Sequence, residues 1–341
     1  MMLESVWFFL WGLLWAVYFV TDGFDLGIGM LLPFLGKDEG KRRATYNATG
    51  PFWDGNEVWL ITAGGVTFAA FPKVYAVMFS SLYAPLMLIL FALIVRGVSW
   101  EFRGHVDDPR WRKLWDVCHF VGSLLPALLL GVAFANIFRG LPMDSTGYHG
   151  TLVSLLNPYG LAGGALFVLL FLLHGATWLA VKTEGDLHES AGAVAKALWV
   201  PVLIAAVLFL IGSWLDTPLY RNYLASPALF VVLLVTVAAL VAARAFLAKA
   251  AYWRAWAASA VTIAGTTFFG VIGLYPNLFP SRLDPGASLS AFNASSSPLT
   301  LTIMLVVVVI LVPLVLAYQA WVYKTFSHKV NAESLTAGEV Y

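Results

Sequence analysis

Carboxylates recur at a spacing of three residues in two apolar stretches of the chain. Asp22 and Asp25 lie within VTDGFDLGIGM, and Asp54 and Glu57 lie within GPFWDGNEVWLITAGG. Residues three apart share one face of a helix. An ionisable group inside a membrane span is energetically costly and is a candidate for function by default. Because carboxyls shielded from water can exchange protons near neutral pH, the four acids predict a proton relay.

The elements that must hold these acids are membrane helices. The 341 residues are 60% hydrophobic and only 11% charged, which is far more apolar than a soluble domain. A helix needs about 20 apolar residues to cross a bilayer, and continuous runs of that length exclude the alternating strands of a membrane β-barrel. Hydropathy predicts an all-α integral membrane protein, with a single polytopic domain over residues 1–341 and nine spans: 6–35, 54–71, 75–97, 117–138, 158–181, 196–215, 226–246, 255–276 and 299–323.

Other features of the composition exclude further classes. The single cysteine, Cys118, excludes a disulfide framework and a cysteine metal cluster. A net charge of +1 gives no argument for nucleic-acid binding. The N-terminus carries Glu4 and lacks the basic region and cleavage site of a signal peptide. We therefore expect the first apolar run to be a retained span.

The distribution of basic residues orients the predicted spans. Most Lys and Arg residues, Arg96 among them, are expected in loops or helix ends on one side of the membrane. The exceptions on the other side are Lys73, Arg139, Arg221 and Arg282. By the positive-inside rule, the N-terminus lies outside and the C-terminus in the cytoplasm. An odd number of spans agrees with this, since it puts the termini on opposite sides.

This orientation predicts that the acids gather near the cytoplasmic surface. At 1.5 Å per residue, Asp22 and Asp25 fall in the cytoplasmic third of the first span, while Asp54 and Glu57, with Asn56 between them, start the second span from the same side. A purely structural reading stays open. Each acid could touch water at a helix end, and Asp54 could cap its helix.

Two histidines raise the question of haem. His119 and His174 fall in or near the fourth and fifth predicted spans and could share a depth in the membrane, and intramembrane histidine can ligate haem iron. However, no pattern of paired histidines runs along two helices. The sequence therefore favours packing roles for both, and it predicts no metal site in this chain.

The two acidic stretches closely resemble those of subunit II of the bacterial cytochrome bd quinol oxidases. The similarity continues through RGVSWEFR, GVAFANIFRG, LLNPYGLAGG, TEGDLH and NASSSPLTLTIM, and it covers nearly the whole chain in family order. It implies two four-helix bundles plus one peripheral helix in the bacterial cytoplasmic membrane. It also implies a terminal oxidase that oxidises quinol, reduces dioxygen to water and generates a proton motive force.

The resemblance further implies cofactors, partners and residue roles. Subunit I would pair with this chain and carry two b-type haems, one d-type haem and the quinol site, and this chain alone would bind no haem. Small single-span accessory subunits, membrane lipids and a structural quinone are compatible with the family. Asp54 would form part of a cytoplasmic proton path, Asp25 would support the same path or contact a structural quinone, and Trp59 would line an oxygen route. The neighbouring polar residues would support that path: Asp22, Glu57 and Asn56.

Two alternatives compete with a working proton path. In the first, the chain only stabilises subunit I, and its acids are idle during turnover. In the second, the chain is a proton-coupled secondary transporter, which would place polar residues in broken helices near the membrane midplane. Here the polar residues crowd toward one side of the membrane, which disfavours a transporter.

Overall fold

The computed structural model describes residues 2–330, most of which are helical. Helices dominate because every backbone N–H and C=O group in the hydrocarbon core must be bonded within its own segment. The helices are α1 (Met2–Leu35), α2 (Glu39–Asn47), α3 (Trp53–Ala70), α4 (Pro72–Ser81), α5 (Tyr83–Phe102), α6 (Pro109–Arg139), α7 (Leu152–Leu155), α8 (Pro158–Lys182), α9 (Gly185–Asp216), α10 (Tyr220–Ala225), α11 (Phe230–Ala248), α12 (Tyr252–Leu274) and α13 (Pro298–Thr325).

Within the described residues, eight helices are long and apolar enough to cross a membrane: α1, α5, α6, α8, α9, α11 with the 3₁₀ turn before it, α12 and α13. The predicted span 54–71 corresponds to α3, which is not among them. The predicted span 75–97 is divided into α4 and α5. Pro85 explains the division, because in one continuous helix its ring would clash with the carbonyl group of Ser81, where α4 ends.

The first helix, α1, lies at the centre of the fold and contacts α3, α6, α8 and α12. Its crossing with α8 is very close. A Cβ atom added to Gly27 would lie 1.9 Å from the carbonyl oxygen of Phe171, and Gly175 of α8 faces Gly27 directly. Small residues allow such close backbone approach between membrane helices. The glycines of the opening motif therefore pack α1 against its neighbour.

Short hairpins occupy the end of the helices at which α6 and α12 terminate. Strand β1 (Met143–Asp144) pairs with β2 (Gly147–Tyr148), and β3 (Asn277–Phe279) pairs with β4 (Leu289–Ser290), both antiparallel. They lie in the two long connections that the sequence places on the outer side. At the opposite end, α1, α5 and α13 terminate and α3 begins, and this end carries the acidic residues.

Candidate functional site

A buried ion pair joins α1 to α5. Arg96 Nη2 donates to Asp22 Oδ1 over 2.8 Å, and both side chains are 0% exposed. The expectation that Arg96 lies in a loop or at a helix end is wrong, because α5 continues to Phe102 and carries Arg96 in its interior. Removing either member of such a pair would leave a buried, uncompensated charge. The pair therefore stabilises the contact between α1 and α5 only while both partners are present.

Three residues further along α1, Asp25 faces α3. Asn56 Nδ2 donates to Asp25 Oδ2 over 2.7 Å, and the hydroxyl of Tyr323, near the end of α13, donates to Asn56 Oδ1 over 2.9 Å. Asp25 and Asn56 are both buried. Because Asn56 is bonded on both sides, its orientation is fixed. It holds one oxygen of the Asp25 carboxyl and leaves the other one unused.

Several polar atoms at this point are buried without a hydrogen-bond partner among the described residues. They are Asp25 Oδ1, Arg96 Nε and Arg96 Nη1. Each such atom costs free energy, and native structures contain few of them. Several such unbonded atoms in one place are typical of a functional site, because proteins tolerate locally unfavourable packing where function requires it.

A cavity of about 440 Å³ opens beside this cluster, between the start of α3 and the last third of α13. Its lining includes Asp54, Glu101, Asn56 and Tyr323. Asp54 is exposed in the first turn of α3, where the helix dipole favours a carboxylate. The four carboxyls differ in exposure, since Asp22 and Asp25 are buried, Glu57 is half-buried and Asp54 faces the cavity, and their common depth in the membrane stays a prediction.

Trp59 lies at the contact between α3 and α13. Its Nε1 donates to Gln319 Oε1 over 3.1 Å, and Gln319 Nε2 donates to the carbonyl oxygen of Gly55 over 3.1 Å. Trp59 is buried. Its indole N–H is thus used to attach α13 to the acidic turn of α3, and a role in an oxygen route stays a prediction.

The end of α13 is held in place by Lys182, the last residue of α8. Lys182 Nζ donates to the carbonyl oxygens of Phe326 and His328, the latter over 2.6 Å, and it lies 5.5 Å from the centre of the Phe52 ring. The ring of Phe52 in turn packs at a tilt against Tyr323, with the two ring centres 4.6 Å apart. These contacts of Lys182 and Phe52 therefore fix the end of α13, from which Tyr323 donates to Asn56.

A second ionic network covers the same end of the helices. Arg103 donates two hydrogen bonds of 2.9 Å to Glu39 and one of 2.7 Å to Asp116, which also accepts one from the hydroxyl of Tyr46. Burial raises the pKa of Glu39, but the bonds from Arg103 outweigh that effect and hold the pKa below its usual range. The network ties α2 to α5 and α6 and keeps the segment before α3 in place.

Neither histidine in the core fits a haem ligand. Nδ1 of His119 lies 3.0 Å from Ser99 Oγ, and its ring is enclosed by Tyr46 and Trp100. His174 places Nδ1 2.6 Å from Ser259 Oγ and Nε2 3.1 Å from the carbonyl oxygen of Val20, and it stacks on Trp256. Both rings are enclosed by packed side chains, with no room for a macrocycle. In the part of the chain that the structure describes, no three His, Cys, Asp or Glu side chains converge on a metal site.

The similarity to known proteins extends over the whole chain. The family model described as cytochrome bd terminal oxidase subunit II matches residues 3–326. The chain is 36% identical to the cytochrome bd-I ubiquinol oxidase subunit 2 of Escherichia coli (strain K12), over 98% of this chain and 96% of that protein. It is 37% identical to the cytochrome bd ubiquinol oxidase subunit 2 of Bacillus subtilis (strain 168), over 96% and 97%.

A solved structure shares the fold. One chain of the bd oxidase from Geobacillus thermodenitrificans superimposes with a TM-score of 0.77 over 95% of this chain and 99% of that chain. The sequence identity over this match is 18%, so the likeness concerns the fold alone. The arrangement of helices described above is thus one that a bd oxidase contains.

Proposed function

Because the chain belongs to the cytochrome bd terminal oxidase subunit II family, we propose that it is the second subunit of a quinol oxidase and serves that complex by moving protons. The observation that carries the proposal is the connection from the cavity at Asp54 through Asn56 to the buried Asp25. Family membership argues against the transporter alternative. The turnover of an Asp54 variant distinguishes this proposal from the alternative in which the chain only stabilises subunit I.

The chemistry divides between the two subunits. Haem, when bound in the complex, supplies electron transfer and the reduction of dioxygen. Neither His119 nor His174 offers a free nitrogen in an open pocket, so we assign the two b-type haems, the d-type haem and the quinol site to subunit I. The apolar cavity between α8, α9, α11 and α12 is only about 40 Å³, which is room for a few waters at most and too small for a structural quinone.

Each step of the proposed proton path uses a named atom of this chain. The exposed carboxyl of Asp54 exchanges protons with the cavity, whose volume of about 440 Å³ holds several waters. Asn56 fixes Oδ2 of Asp25 and, being an amide, does not itself carry the proton, so in this path a proton passes from water in the cavity past Asn56 to Oδ1 and leaves toward subunit I from the same oxygen. The guanidinium of Arg96 stays paired with Asp22. The charge that changes is therefore that of Asp25, while the ion pair beside it stays constant.

The exposed side of α3 and α13 is the surface that we propose for subunit I. Ile61 of α3 is 72% exposed and Leu299 of α13 is 70% exposed. A Cβ atom added to Gly64 or Gly65 would meet nothing within 4 Å, so a partner helix could approach closely there. Lipid and accessory subunits would cover the remaining apolar faces. This placement puts the Asp54 cavity next to the partner that consumes the protons.

The proposed topology follows from the same helices. Counting α3 with the eight long helices gives nine spans in two groups of four, α1, α3, α5 and α6 and then α8, α9, α11 and α12, with α13 at the periphery. The contacts of α5 with α6 and of α11 with α12 support this grouping. With the basic side of the chain facing the cytoplasm, the N-terminus lies outside and Asp54 lies at the cytoplasmic surface.

Quinol-driven oxygen consumption of the co-expressed two-subunit complex tests the path. We expect Asp54→Asn to lower turnover about tenfold or more with haem content intact, since removing a group that transfers protons costs at least that much. Asp107→Asn is the matched control, because Asp107 is a highly exposed acid that does not line the cavity. Unchanged turnover of the Asp54 variant, with haem intact, would leave the chain as a structural partner only.

A further inference from the structure

Positive charges are concentrated in one place at the end of the helices opposite Asp54. Four cations were assigned to this end from the sequence, and three of them, Arg139, Arg221 and Arg282, line a single cavity of about 460 Å³. We call it the three-arginine cavity. The fourth cation, Lys73, is not part of its lining. Scattered surface charges would not be expected to converge in this way, at the end of the protein that has the fewest of them.

The backbone fixes two of these arginines next to each other. Arg139 is the last residue of α6, and the chain turns at Gly140, whose φ of 87° favours glycine. Leu141 N then donates to the carbonyl oxygen of Pro280 over 2.9 Å, and Arg282 N donates to the carbonyl oxygen of Leu141 over 2.9 Å. This short ladder brings together two segments that are more than a hundred residues apart in sequence.

The third arginine is held by an anchored helix. Arg221 lies on α10, where its neighbour Asn222 donates from Nδ2 to the carbonyl oxygens of Ile272 over 2.8 Å and Tyr275 over 2.6 Å. These bonds attach α10 to the end of α12. The guanidinium groups thus project from segments that are each fixed by hydrogen bonds, so the cavity exists before any ligand arrives.

The charge of the cavity is only partly compensated. Asp216 is its one acidic residue, and Asp216 Oδ2 lies 2.7 Å from Arg139 Nε. One carboxylate for three guanidiniums leaves an excess of positive charge. Guanidinium groups bind phosphate in paired, directional hydrogen bonds, so the cavity is suited to a phosphate oxyanion.

The side of the cavity that faces away from the protein is apolar. Trp214 and Leu215, at the end of α9, are 56% and 77% exposed, and Leu224 of α10 is 59% exposed. Tryptophan beside arginine at a helix end is typical of the boundary between headgroups and hydrocarbon. An apolar lining does not favour the binding of a small soluble anion, whereas a phospholipid presents a phosphate group and acyl chains together.

We propose that the three-arginine cavity binds the phosphate of an anionic phospholipid in the leaflet at this end of the helices. The phosphate oxygens accept from Arg139, Arg221 and Arg282, and the acyl chains run along Trp214 and Leu215. Bound there, the lipid joins the ends of α6 and α9 to α10 and to the loop around Arg282. It stabilises the outer connections without taking part in proton transfer.

The test uses the purified, delipidated two-subunit complex. Phosphatidylglycerol, phosphatidylcholine and inorganic phosphate are titrated separately, and the thermal midpoint and the bound lipid are measured by calorimetry and mass spectrometry. We expect only phosphatidylglycerol to raise the thermal midpoint. Its affinity should be at least about tenfold lower in the double variant Arg221→Gln/Arg282→Gln than in the wild type. Lys73→Gln is the matched control, since it removes a cation from the same end outside the cavity, and we expect it to behave as wild type.

Four outcomes would overturn the proposal. Equal stabilisation by inorganic phosphate would make this a site for free anions, and equal stabilisation by phosphatidylcholine would remove the role of charge. A loss of affinity in Lys73→Gln as large as in the double variant would indicate general surface electrostatics. Loss of subunit I from the double variant would identify the cavity as a protein interface.

Discussion

Two sets of helices that contact α1 bury polar residues in different ways. Around α1, α3, α5 and α6, an ion pair and the carboxyl of Asp25 are buried with several of their atoms unbonded. Around α8, α9 and α12, most buried polar side chains find partners nearby, although the indole N–H of Trp256 has none among the described residues. His174 uses both ring nitrogens, and the hydroxyl of Tyr159 lies 2.8 Å from Ser213 Oγ. Polar burial by itself is therefore no sign of function in this protein.

The useful distinction is whether the buried group is satisfied. A fully bonded polar network specifies packing, whereas a partly bonded one carries a cost that must be offset elsewhere. The first group places its unsatisfied atoms beside an open cavity at Asp54, and the second surrounds only a small apolar space. We infer that one group works during turnover and the other serves as its scaffold.

The largest effect should come from comparing Asp25→Asn with His174→Asn. We expect Asp25→Asn to lower oxygen consumption per haem by about 100-fold or more, because it removes the buried group that binds the proton. His174→Asn should lower the thermal stability of the complex while leaving turnover per haem within about twofold of wild type. The measurement is quinol-driven oxygen consumption normalised to the haem spectrum. Equal loss of turnover in both variants would remove the distinction between the two groups.

The next effect concerns the stability of the complex. Asp22→Asn leaves Arg96 buried without its counter-charge, and breaking a buried pair in this way costs about 3–5 kcal/mol. We expect a marked fall in the thermal midpoint of the purified complex or a loss of assembled protein. The double variant Asp22→Asn/Arg96→Gln should recover part of that loss, because it removes the unpaired charge as well. If the single variant is as stable as the wild type, the ion pair has no structural role.

The smallest effect is a pH dependence at the ionic network around Arg103. Arg103 holds the pKa of Glu39 below its usual value of 4.5, despite partial burial. A lowered pKa in the folded state means that the stabilisation is present above that usual value and is lost as the pH falls through the folded pKa. With Glu39 partly exposed, we expect about 0.5–1 kcal/mol. Thermal unfolding between about pH 5 and pH 3 should be less pH-dependent in Glu39→Gln, and Asp107→Asn should retain the wild-type slope.

Part of the site could be predicted from the sequence because membrane spans make polar residues conspicuous. Asp22 and Asp25 were found as carboxylates within an apolar run, and their burial in α1 bears out that signal. The resemblance carried by the acidic motifs is confirmed by the family match over residues 3–326. Arg96 was missed because hydropathy ended its span at residue 97, whereas α5 runs on to Phe102. The sequence did contain one signal for this buried ion pair, namely a cation near the end of one predicted span and an acid within another.

By itself, the sequence determined the class of protein, the family and the helix that carries the buried acids, since composition and local motifs are properties of contiguous residues. Only the tertiary structure decided which partners those acids have. Tyr323 reaches Asn56 across 267 positions of sequence, and backbone bonds of Leu141 to Pro280 and Arg282 join two distant loops. Hydropathy reports how each residue is solvated on average and carries no information about which helix faces which. Contacts between helices are set by the packing of small residues such as Gly27 and Gly175, whose consequences appear only when the whole chain is folded.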